Sequence, residues 1–260
     1  MKNLKKYIIG GFALLALASC EKEEITPNTD QNETKNLTTN SIGINGSLAQ
    51  FTIIDAYMYS LDGKSIKVFA LENPRDPQLV NTVDLGFGIE TIHANNGNLF
   101  VGTTTGVRII DASDPINIVE VSEFEHVTSC DPVVANPNYA FSTLRGGTEC
   151  GTVNQLDIIN IEDIHNPNLF QTFQLVNPFG LGIDQVDPSI LYVCDGVDGL
   201  KVFDISDYSN IQMVKQYKTI FAKDVISTKN GVLVVMGLDA IMQYDSSDPL
   251  NLKMNSEIVI

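Results

Sequence analysis

Three acidic side chains stand at equivalent places in repeated segments of this sequence, and carboxylates that meet at one point can bind a cation. They are Glu90, Asp131 and Asp224, each close to the start of a short apolar segment. Carboxylate oxygens suit Ca²⁺ and Mg²⁺, and like charges held close together raise one another's pKa. The pattern indicates a candidate site for a divalent cation, a polyamine or another basic ligand, with Arg145 as a counter-charge. The alternative is a structural role, in which these acids bind backbone amides or face water.

Other catalytic and metal-binding signatures are absent from the sequence. The three histidines, His93, His126 and His165, show no metal-ligand spacing with one another or with a cysteine. No Gly-x-Ser-x-Gly nucleophile motif occurs, and no glycine-rich segment has the third glycine of a dinucleotide-binding loop. The segment DGVDG, residues 195–199, lacks the remaining ligands of a calcium-binding loop and is interpreted as a turn. These observations favour a binding protein over an enzyme.

One motif recurs along the chain and defines the elements that would position these residues. It is contained in GVRIIDASDP at residues 106–115, and near-copies begin at Lys67, Asp157, Lys201 and Met242. Between the copies, short runs rich in Val, Ile and Phe alternate with Asn-Gly and Asp-Pro turns, and no helical period is present. A period of 41 to 49 residues with four strands per unit predicts an all-β fold, a five-bladed β-propeller of four-stranded antiparallel blades. Two sandwiches or a β-solenoid are the alternatives.

The predicted propeller spans residues 44–260. Its blades are placed at about 49–86, 87–125, 126–175, 176–218 and 219–260. In the second blade, strands are predicted at 88–94, 99–103, 107–112 and 116–124. Strands are called A to D from the axis outward, and antiparallel order puts the D-to-A and B-to-C loops at one end, the upper face. The A-to-B and C-to-D loops form the lower face. The candidate carboxylates begin A strands and are therefore expected at the upper end of the axis, while residues 41–48 are expected to cover the outer edge of the fifth blade.

The aspartates of the motif have a structural explanation. The first of them ends the third strand at Asp111, Asp204 and Asp245, whereas Ala70 and Asn160 replace it in the first and third blades. The second follows three residues later and can accept a hydrogen bond from an amide two residues further on. The motif is therefore predicted to stop each strand rather than to bind a ligand.

Three cysteines lie in the predicted propeller. Cys130 lies at the start of the third blade's A strand and Cys150 in its long B-to-C loop, residues 145–154, so both belong to the upper face. In the oxidising compartment that an exported protein meets, this arrangement predicts a disulfide between Cys130 and Cys150. Cys194, within the run LYVCDG, is predicted to be a small apolar core residue.

The core of the repeat resembles the LVIVD repeat family of bacterial β-propellers. The resemblance rests on an apolar residue followed by Lys or Arg, Val or Ile, Phe or Ile, Asp and an Asp-Pro turn, and it extends over all five units. The segments FGIETI (87–92), SCDPVV (129–134) and NPFGLGID (177–184) further resemble a lipoprotein subgroup of that family. The resemblance implies a propeller fold and an envelope location, but no general catalytic activity.

The N-terminus has the features of an export signal. Basic residues precede an apolar run, residues 7–17, that is too short to span a bilayer stably. The next residues complete Leu-Ala-Ser-Cys, which resembles the lipobox of bacterial lipoproteins. The resemblance implies that residues 1–19 are removed and that Cys20 is lipidated. A plain signal peptide with a chance cysteine is the alternative.

The segment after this cysteine is predicted to be a flexible tether. Residues 20–43 are rich in Asn, Thr and Glu and contain almost no large apolar residues, so they cannot bury enough surface to offset ordering. The acidic residues Glu21, Glu23 and Glu24 resemble the signal that some bacteria use to place lipoproteins on the cell surface. The formal net charge of −16 argues against nucleic acid as a partner and against electrostatic docking on anionic lipid. Membrane attachment would then rest on the lipid.

Together these features predict a lipid-anchored protein of the cell envelope, namely an outer-membrane lipoprotein. If the acidic residues after Cys20 act as an export signal, the protein is exposed at the cell surface. It is expected to bind an envelope protein or an extracellular polymer through its upper face, with no cofactor other than an optional divalent cation. One alternative is an envelope hydrolase or lyase that uses the axial carboxylates, with Arg145 or His126 assisting. Another is a purely structural assembly factor.

Overall fold

The computed structural model describes residues 46–126, 132–147 and 151–260. Within them the regular structure consists of twenty β-strands and one short 3-10 helix, Tyr208–Asn210. The strands form five antiparallel sheets of four strands, and each sheet follows chain order. The predicted all-β, five-bladed propeller is confirmed. No helix long and apolar enough to span a membrane occurs in these residues.

Each blade takes four consecutive strands. The first contains β1 (Phe51–Ile54), β2 (Tyr57–Leu61), β3 (Ser65–Ala70) and β4 (Gln78–Asp84), and the second contains β5 (Ile89–Asn95), β6 (Asn98–Thr103), β7 (Gly106–Asp111) and β8 (Val119–Glu125). The third contains β9 (Val133–Ala135), β10 (Tyr139–Leu144), β11 (Gln155–Asn160) and β12 (Asn168–Gln174). The fourth contains β13 (Leu181–Ile183), β14 (Ile190–Cys194), β15 (Leu200–Asp204) and β16 (Gln212–Tyr217), and the fifth contains β17 (Asp224–Ser227), β18 (Val232–Met236), β19 (Ala240–Asp245) and β20 (Lys253–Val259). In the second blade the predicted boundaries lie within about three residues of the observed ones, the usual uncertainty of strand ends.

The repeat in sequence is also a repeat in backbone geometry. In every blade the pairing register shifts between the third and fourth strands, for example between Val68 and Phe69 in the first blade and between Ile109 and Ile110 in the second. An irregularity of this kind bends a strand and increases its local twist. The outermost strand of each blade is therefore turned by the same local feature.

The aspartates of the motif end the third strands, as predicted. The Asp111 carboxylate accepts a hydrogen bond from the Ser113 amide at 2.8 Å, and Asp114 accepts one from the Ile116 amide at 3.0 Å. The fourth and fifth blades repeat both contacts, and in the third blade Asn160 takes the place of the first aspartate. The Ser113 amide holds the pKa of Asp111 below its ordinary value because the bond favours the charged form. These acids shape turns.

Apolar side chains fill the junctions between successive blades. Between the first and second blades, Tyr59, Ile66, Ile92, Leu99 and Ile110 belong to one buried cluster. Comparable clusters join the second blade to the third, the third to the fourth and the fourth to the fifth. Burying apolar surface in this way is the main stabilising contribution to such a fold.

The junction between the fifth and first blades differs from the others. Both blades lie wholly within the described residues, yet no apolar cluster contains side chains from both. All seven residues of β20 are exposed, whereas most of β8 and the later part of β12 are half-buried. Elsewhere side chains bridge adjacent blades, as when the Tyr217 hydroxyl donates to the Pro249 carbonyl at 3.0 Å. The fifth and first blades therefore lack the packing that unites the rest.

The segment before β1 lies at the upper end of the axis and not along the outer edge of the fifth blade. The Ser47 hydroxyl accepts a hydrogen bond from the Leu181 amide at 2.7 Å, and the Ala49 carbonyl accepts one from the Ile92 amide at 2.9 Å. The expectation that residues 41–48 cover β20 is therefore wrong for residues 46–48, and residues 41–45 lie outside the described residues. Both bonds give backbone amides of inner strands an acceptor, and Leu181 is the first residue of β13.

Candidate functional site

Asp224, at the start of β17, is packed beneath the segment that precedes β1. Gly46 and Gly180 lie so close to its carboxylate that neither position has room for a Cβ. Burial raises the pKa of Asp224 to about 6, although the Val225 amide and the Ser47 hydroxyl both favour its charged form. Its Oδ1 atom is buried and has no hydrogen-bond partner within the described part of the chain. We call Gly46, Ser47 and Asp224 the axial latch, since they join the first and fifth blades.

Glu90 lies in a different setting, on the wall of a small cavity at the upper face. The cavity has a volume of about 70 Å³ and is lined by Leu48, Glu90, Thr91, Pro132, Arg145, Pro178 and Phe179. The Arg145 guanidinium lies over the Phe179 ring, 4.6 Å from its centroid, and this cation–π contact orients it. The cavity thus combines a carboxylate, a guanidinium and an apolar wall. This chemistry fits a small group that carries both charges, or a polar group beside an apolar one.

The structure places the predicted axial residues in two groups. Glu90 and Arg145 line one cavity, while Asp224 belongs to the axial latch. Asp131 lies outside the described residues, so the convergence of three carboxylates stays a prediction. Among residues 46–126, 132–147 and 151–260, no group of three or more His, Cys, Asp or Glu side chains is arranged to hold a metal ion.

The cysteines have different outcomes. Cys20, Cys130 and Cys150 lie outside the described residues, so lipidation and the disulfide stay predictions. Cys194 is a free, buried thiol, as predicted. Burial raises its pKa well above the ordinary value, which leaves it without the thiolate character of a reactive cysteine.

A buried ion pair in the fourth blade was not predicted from the sequence. The Lys201 ammonium contacts the Asp195 carboxylate, with side chains only 8% and 0% exposed, and it also contacts Asp198 at 2.9 Å. Asp195 accepts further hydrogen bonds from the amides of Val176 at 3.1 Å and Asn177 at 2.6 Å. Burial opposes the charge of Lys201, but its two carboxylate partners outweigh this effect and raise its pKa. The turn predicted at DGVDG is thus also a polar link to the chain that leaves the third blade.

The sequence feature that could have indicated this ion pair is the basic residue that recurs in the motif. In the first blade Lys67 contacts Asp62 at 2.9 Å, and in the second blade Arg108 lies 3.5 Å from Glu123. The basic residue thus finds an acid from a neighbouring strand or loop in three blades. The third blade has Asp157 there, whose pKa is raised by burial.

His93 is half-buried and lies between two blades. Its Nε2 atom lies 3.3 Å from the Ala135 carbonyl oxygen in the third blade. Burial lowers the pKa of His93 to about 4, so the ring is neutral at ordinary pH. Its role is to join two blades.

The described loops of the two faces differ in charge. The loops of the lower face contain ten acidic and two basic residues: Asp55, Glu72, Asp76, Asp114, Glu162, Asp163, Asp184, Asp187, Asp207 and Asp248, with Arg75 and Lys229. The described loops of the upper face contain four of each: Asp62, Asp195, Asp198 and Asp239, with Lys64, Arg145, Lys218 and Lys223. Within the described residues, the lower-face loops therefore carry the larger negative charge and would repel an anionic partner more strongly.

The upper face also exposes large apolar side chains at its loops. Phe87 is 91% exposed, Val197 71% and Leu238 62%, and Phe51 at the start of β1 is 51% exposed. A phenylalanine as exposed as Phe87 is typical of a surface that contacts a partner.

Comparisons with known proteins agree with this architecture. A family model described as LVIVD repeat matches residues 190–219, which contain β14, β15 and β16 of the fourth blade. No curated protein matches the chain in sequence.

Solved structures share the fold. A protein from Lactobacillus plantarum is 16% identical with a TM-score of 0.62, over 80% of this chain and 73% of that one. A functionally unknown protein from Desulfotomaculum acetoxidans is 10% identical with a TM-score of 0.61, over 84% and 69%. A periplasmic gluconolactonase from Pseudomonas aeruginosa is 12% identical with a TM-score of 0.59, over 79% and 69%. Similarity at such low identity concerns the fold alone. The chain is therefore a five-bladed β-propeller that carries an LVIVD repeat in its fourth blade.

Proposed function

We propose that this protein is a lipid-anchored β-propeller of the cell envelope that works by binding a partner through its upper face. The observation that carries the proposal is the cavity in which Glu90 and Arg145 share a wall with the Phe179 ring. Two opposite charges beside an apolar surface are groups that recognise a ligand. They do not by themselves form a nucleophile with its activating base.

The chemistry of the cavity narrows the class of partner. A volume of about 70 Å³ admits a terminal group or a single side chain and no complete sugar or nucleotide. The Arg145 guanidinium suits a carboxylate or phosphate, and the Glu90 carboxylate suits an amine. A protein or polymer of the envelope that presents such a group would place it in the cavity and rest its remaining surface on the surrounding loops.

The N-terminal sequence supports the location. The apolar run, the Leu-Ala-Ser-Cys segment and the polar residues that follow have the features of a lipoprotein whose acyl chains are attached to Cys20. Several acyl chains on one residue would satisfy the requirement of two signals for stable anchoring. Mass spectrometry of the protein extracted from membranes tests this part. We expect an acylated Cys20, whereas an unmodified Cys20 would contradict the anchor.

The binding role is tested with variants of the cavity. The unchanged protein is immobilised and used to capture ligands from solubilised envelope. The immobilised variants Arg145→Ala and Glu90→Gln are expected not to capture these ligands. Lys229→Ala, a cation removed from the lower face, is the matched control and should capture the same set. Identical capture by the unchanged protein and Arg145→Ala would show that this cavity is not the binding site.

The second candidate function is hydrolysis at the same cavity. It is favoured by the half-buried carboxylate of Glu90 beside a guanidinium and by the shared fold with a periplasmic gluconolactonase. Here Glu90 would act on water or the leaving group and Arg145 would stabilise the developing negative charge. Assay with a panel of lactones, with and without Ca²⁺, decides this: turnover that Glu90→Gln abolishes would establish an enzyme, and no turnover would exclude this chemistry for the panel.

A further inference from the structure

Loops of the upper face hold apolar side chains out into solvent, and three of these side chains are more than 60% exposed. Phe87, Val197 and Leu238 are 91%, 71% and 62% exposed. Phe87 lies between Gly86 and Gly88, both of which have positive φ, 81° and 91°. Glycine adopts this backbone conformation at a lower energetic cost than other residues do. The turn leaves the phenyl ring with no protein surface to pack against. A phenylalanine so exposed indicates a partner that takes it out of water.

The loops that carry these side chains come from widely separated parts of the ring. Phe87 lies in the connection from the first to the second blade, Val197 in the B-to-C loop of the fourth blade and Leu238 in that of the fifth. A small ligand would contact one of these loops, whereas an extended surface would contact all three. Lys218 and Lys223 both lie in the connection from the fourth to the fifth blade, and the Lys218 side chain is 72% exposed.

The chain enters the propeller at this same face. Gly46 and Ser47, the first described residues, contact Asp224 and Leu181 at the upper end of the axis. The tether predicted from the sequence at residues 20–43 would span about 25 to 30 Å by random-coil scaling. An anchor at Cys20 would keep the propeller within that distance of a membrane.

We propose that the loop tips Phe87, Val197 and Leu238 insert into the headgroup region of a lipid bilayer, so that the upper face lies on the membrane surface. This inference rests on the proposed function, because it identifies the membrane as a surface that the upper face binds. Apolar side chains enter the interfacial layer, and Lys218 and Lys223 lie at the level of the lipid phosphates. Because the insertion is apolar, it does not require anionic lipid and is only weakly sensitive to salt.

The test uses the chain from residue 20 with Cys20→Ser, which has no acyl chains and keeps every described strand. It is sedimented with vesicles of phosphatidylethanolamine and phosphatidylcholine. We expect binding that persists in about 0.5 M salt, where surface charges are screened to a few ångströms. The combined variant Phe87→Asp, Val197→Asp and Leu238→Asp should bind the vesicles at least about tenfold more weakly, because each change removes an apolar side chain that inserts. Circular dichroism checks that it folds.

A matched variant makes the test specific. Ile116→Asp, Val186→Asp and Leu250→Asp place three aspartates at exposed apolar positions of the lower face, which are 54%, 56% and 42% exposed. This variant should bind vesicles as the unchanged chain does. Equal loss in both variants, or no vesicle binding by the unchanged chain, would overturn the proposal. Capture of an envelope protein that depends on Phe87 in the absence of vesicle binding would also overturn it and favour a protein partner. An unmodified Cys20 would contradict the lipid anchor without affecting these vesicle results.

Discussion

The junction between the first and second blades and the junction between the fifth and first blades join equivalent elements in different ways. The former is a buried apolar cluster that includes Tyr59, Ile92 and Ile110. The latter has no such cluster in the two blades, and its described contact is the axial latch, where Asp224 packs against Gly46 and Ser47. Four junctions are therefore made by apolar burial, and ring closure is made by polar groups near the axis.

The difference shows what a sequence repeat can and cannot specify. Each repeat carries side chains for both of its faces, so identical units pack on one another as in a linear array. Closing the ring needs a contact between the two terminal units, and the residues that supply it lie outside the motif. The stability of the domain should therefore depend steeply on the four internal junctions and weakly on the fifth.

The largest effect is expected from the apolar junctions. Ile110→Ala removes a fully buried side chain from the first junction and should cost about 3 to 4 kcal/mol in the free energy of unfolding. Ile226→Ala is the matched change in the fifth blade, where the side chain is half-buried and belongs to no cluster, and should cost about 1 kcal/mol. Urea unfolding of both variants measures the contrast. Equal losses would mean that the last junction is packed like the others.

A slightly smaller effect is expected from the polar link between the third and fourth blades. Asp195→Ala leaves Lys201 without its buried partner and the amides of Val176 and Asn177 without an acceptor, a loss of about 3 kcal/mol. Asp62→Ala removes the partner of Lys67, which is more exposed than Asp195, and should change stability by less than about 1 kcal/mol. Thermal unfolding of the two variants compares them. An equally mild effect of Asp195→Ala would show that water reaches Lys201.

The axial latch should respond to pH in the opposite sense to an ordinary paired carboxylate. Asp224 has an ordinary pKa of 3.8 and a folded pKa of about 6, so the folded state holds the proton more tightly. Its ionisation costs stability as pH rises from about 4 to 6, and the full cost of about 2 to 3 kcal/mol is present above pH 6. Asp224→Asn should therefore stabilise the protein at pH 7.5 and have little effect at pH 3.5. Destabilisation at pH 7.5 would mean that the carboxylate is bound by a cation or by groups outside the described residues.

The smallest effect is expected from the hydroxyl of the latch. Ser47→Ala leaves the Leu181 amide without its acceptor and should cost about 1 kcal/mol. Ser256→Ala removes an exposed hydroxyl that donates to Gln243 in the fifth blade and should cost less than about 0.5 kcal/mol. Hydrogen exchange of the Leu181 amide gives a local measurement, which should accelerate in Ser47→Ala alone. Unchanged exchange would show that the latch does not hold this amide.

The fold was predictable because its signals are local and recur. Alternating apolar residues, Asn-Gly and Asp-Pro turns and a period in the forties define strands and blades without knowledge of distant contacts, and the strand-ending role of Asp111 follows from its position before a turn. The site was less predictable because it depends on how loops from different blades meet. Glu90 and Arg145 were named, but the placement of Asp224 beneath Gly46 depends on residues that belong to no repeat. The partners of Lys201 were missed since burial of a lysine cannot be read from one sequence.

The attachment of the segment before β1 has a mechanical consequence. A force applied at Gly46 is transmitted by the Ser47 contact to Leu181, the Ala49 contact to Ile92 and the packing against Asp224. These residues belong to the fourth, second and fifth blades. A pull on the chain is therefore shared among three blades at the centre of the molecule, and β1 is not peeled from its sheet until those contacts have broken.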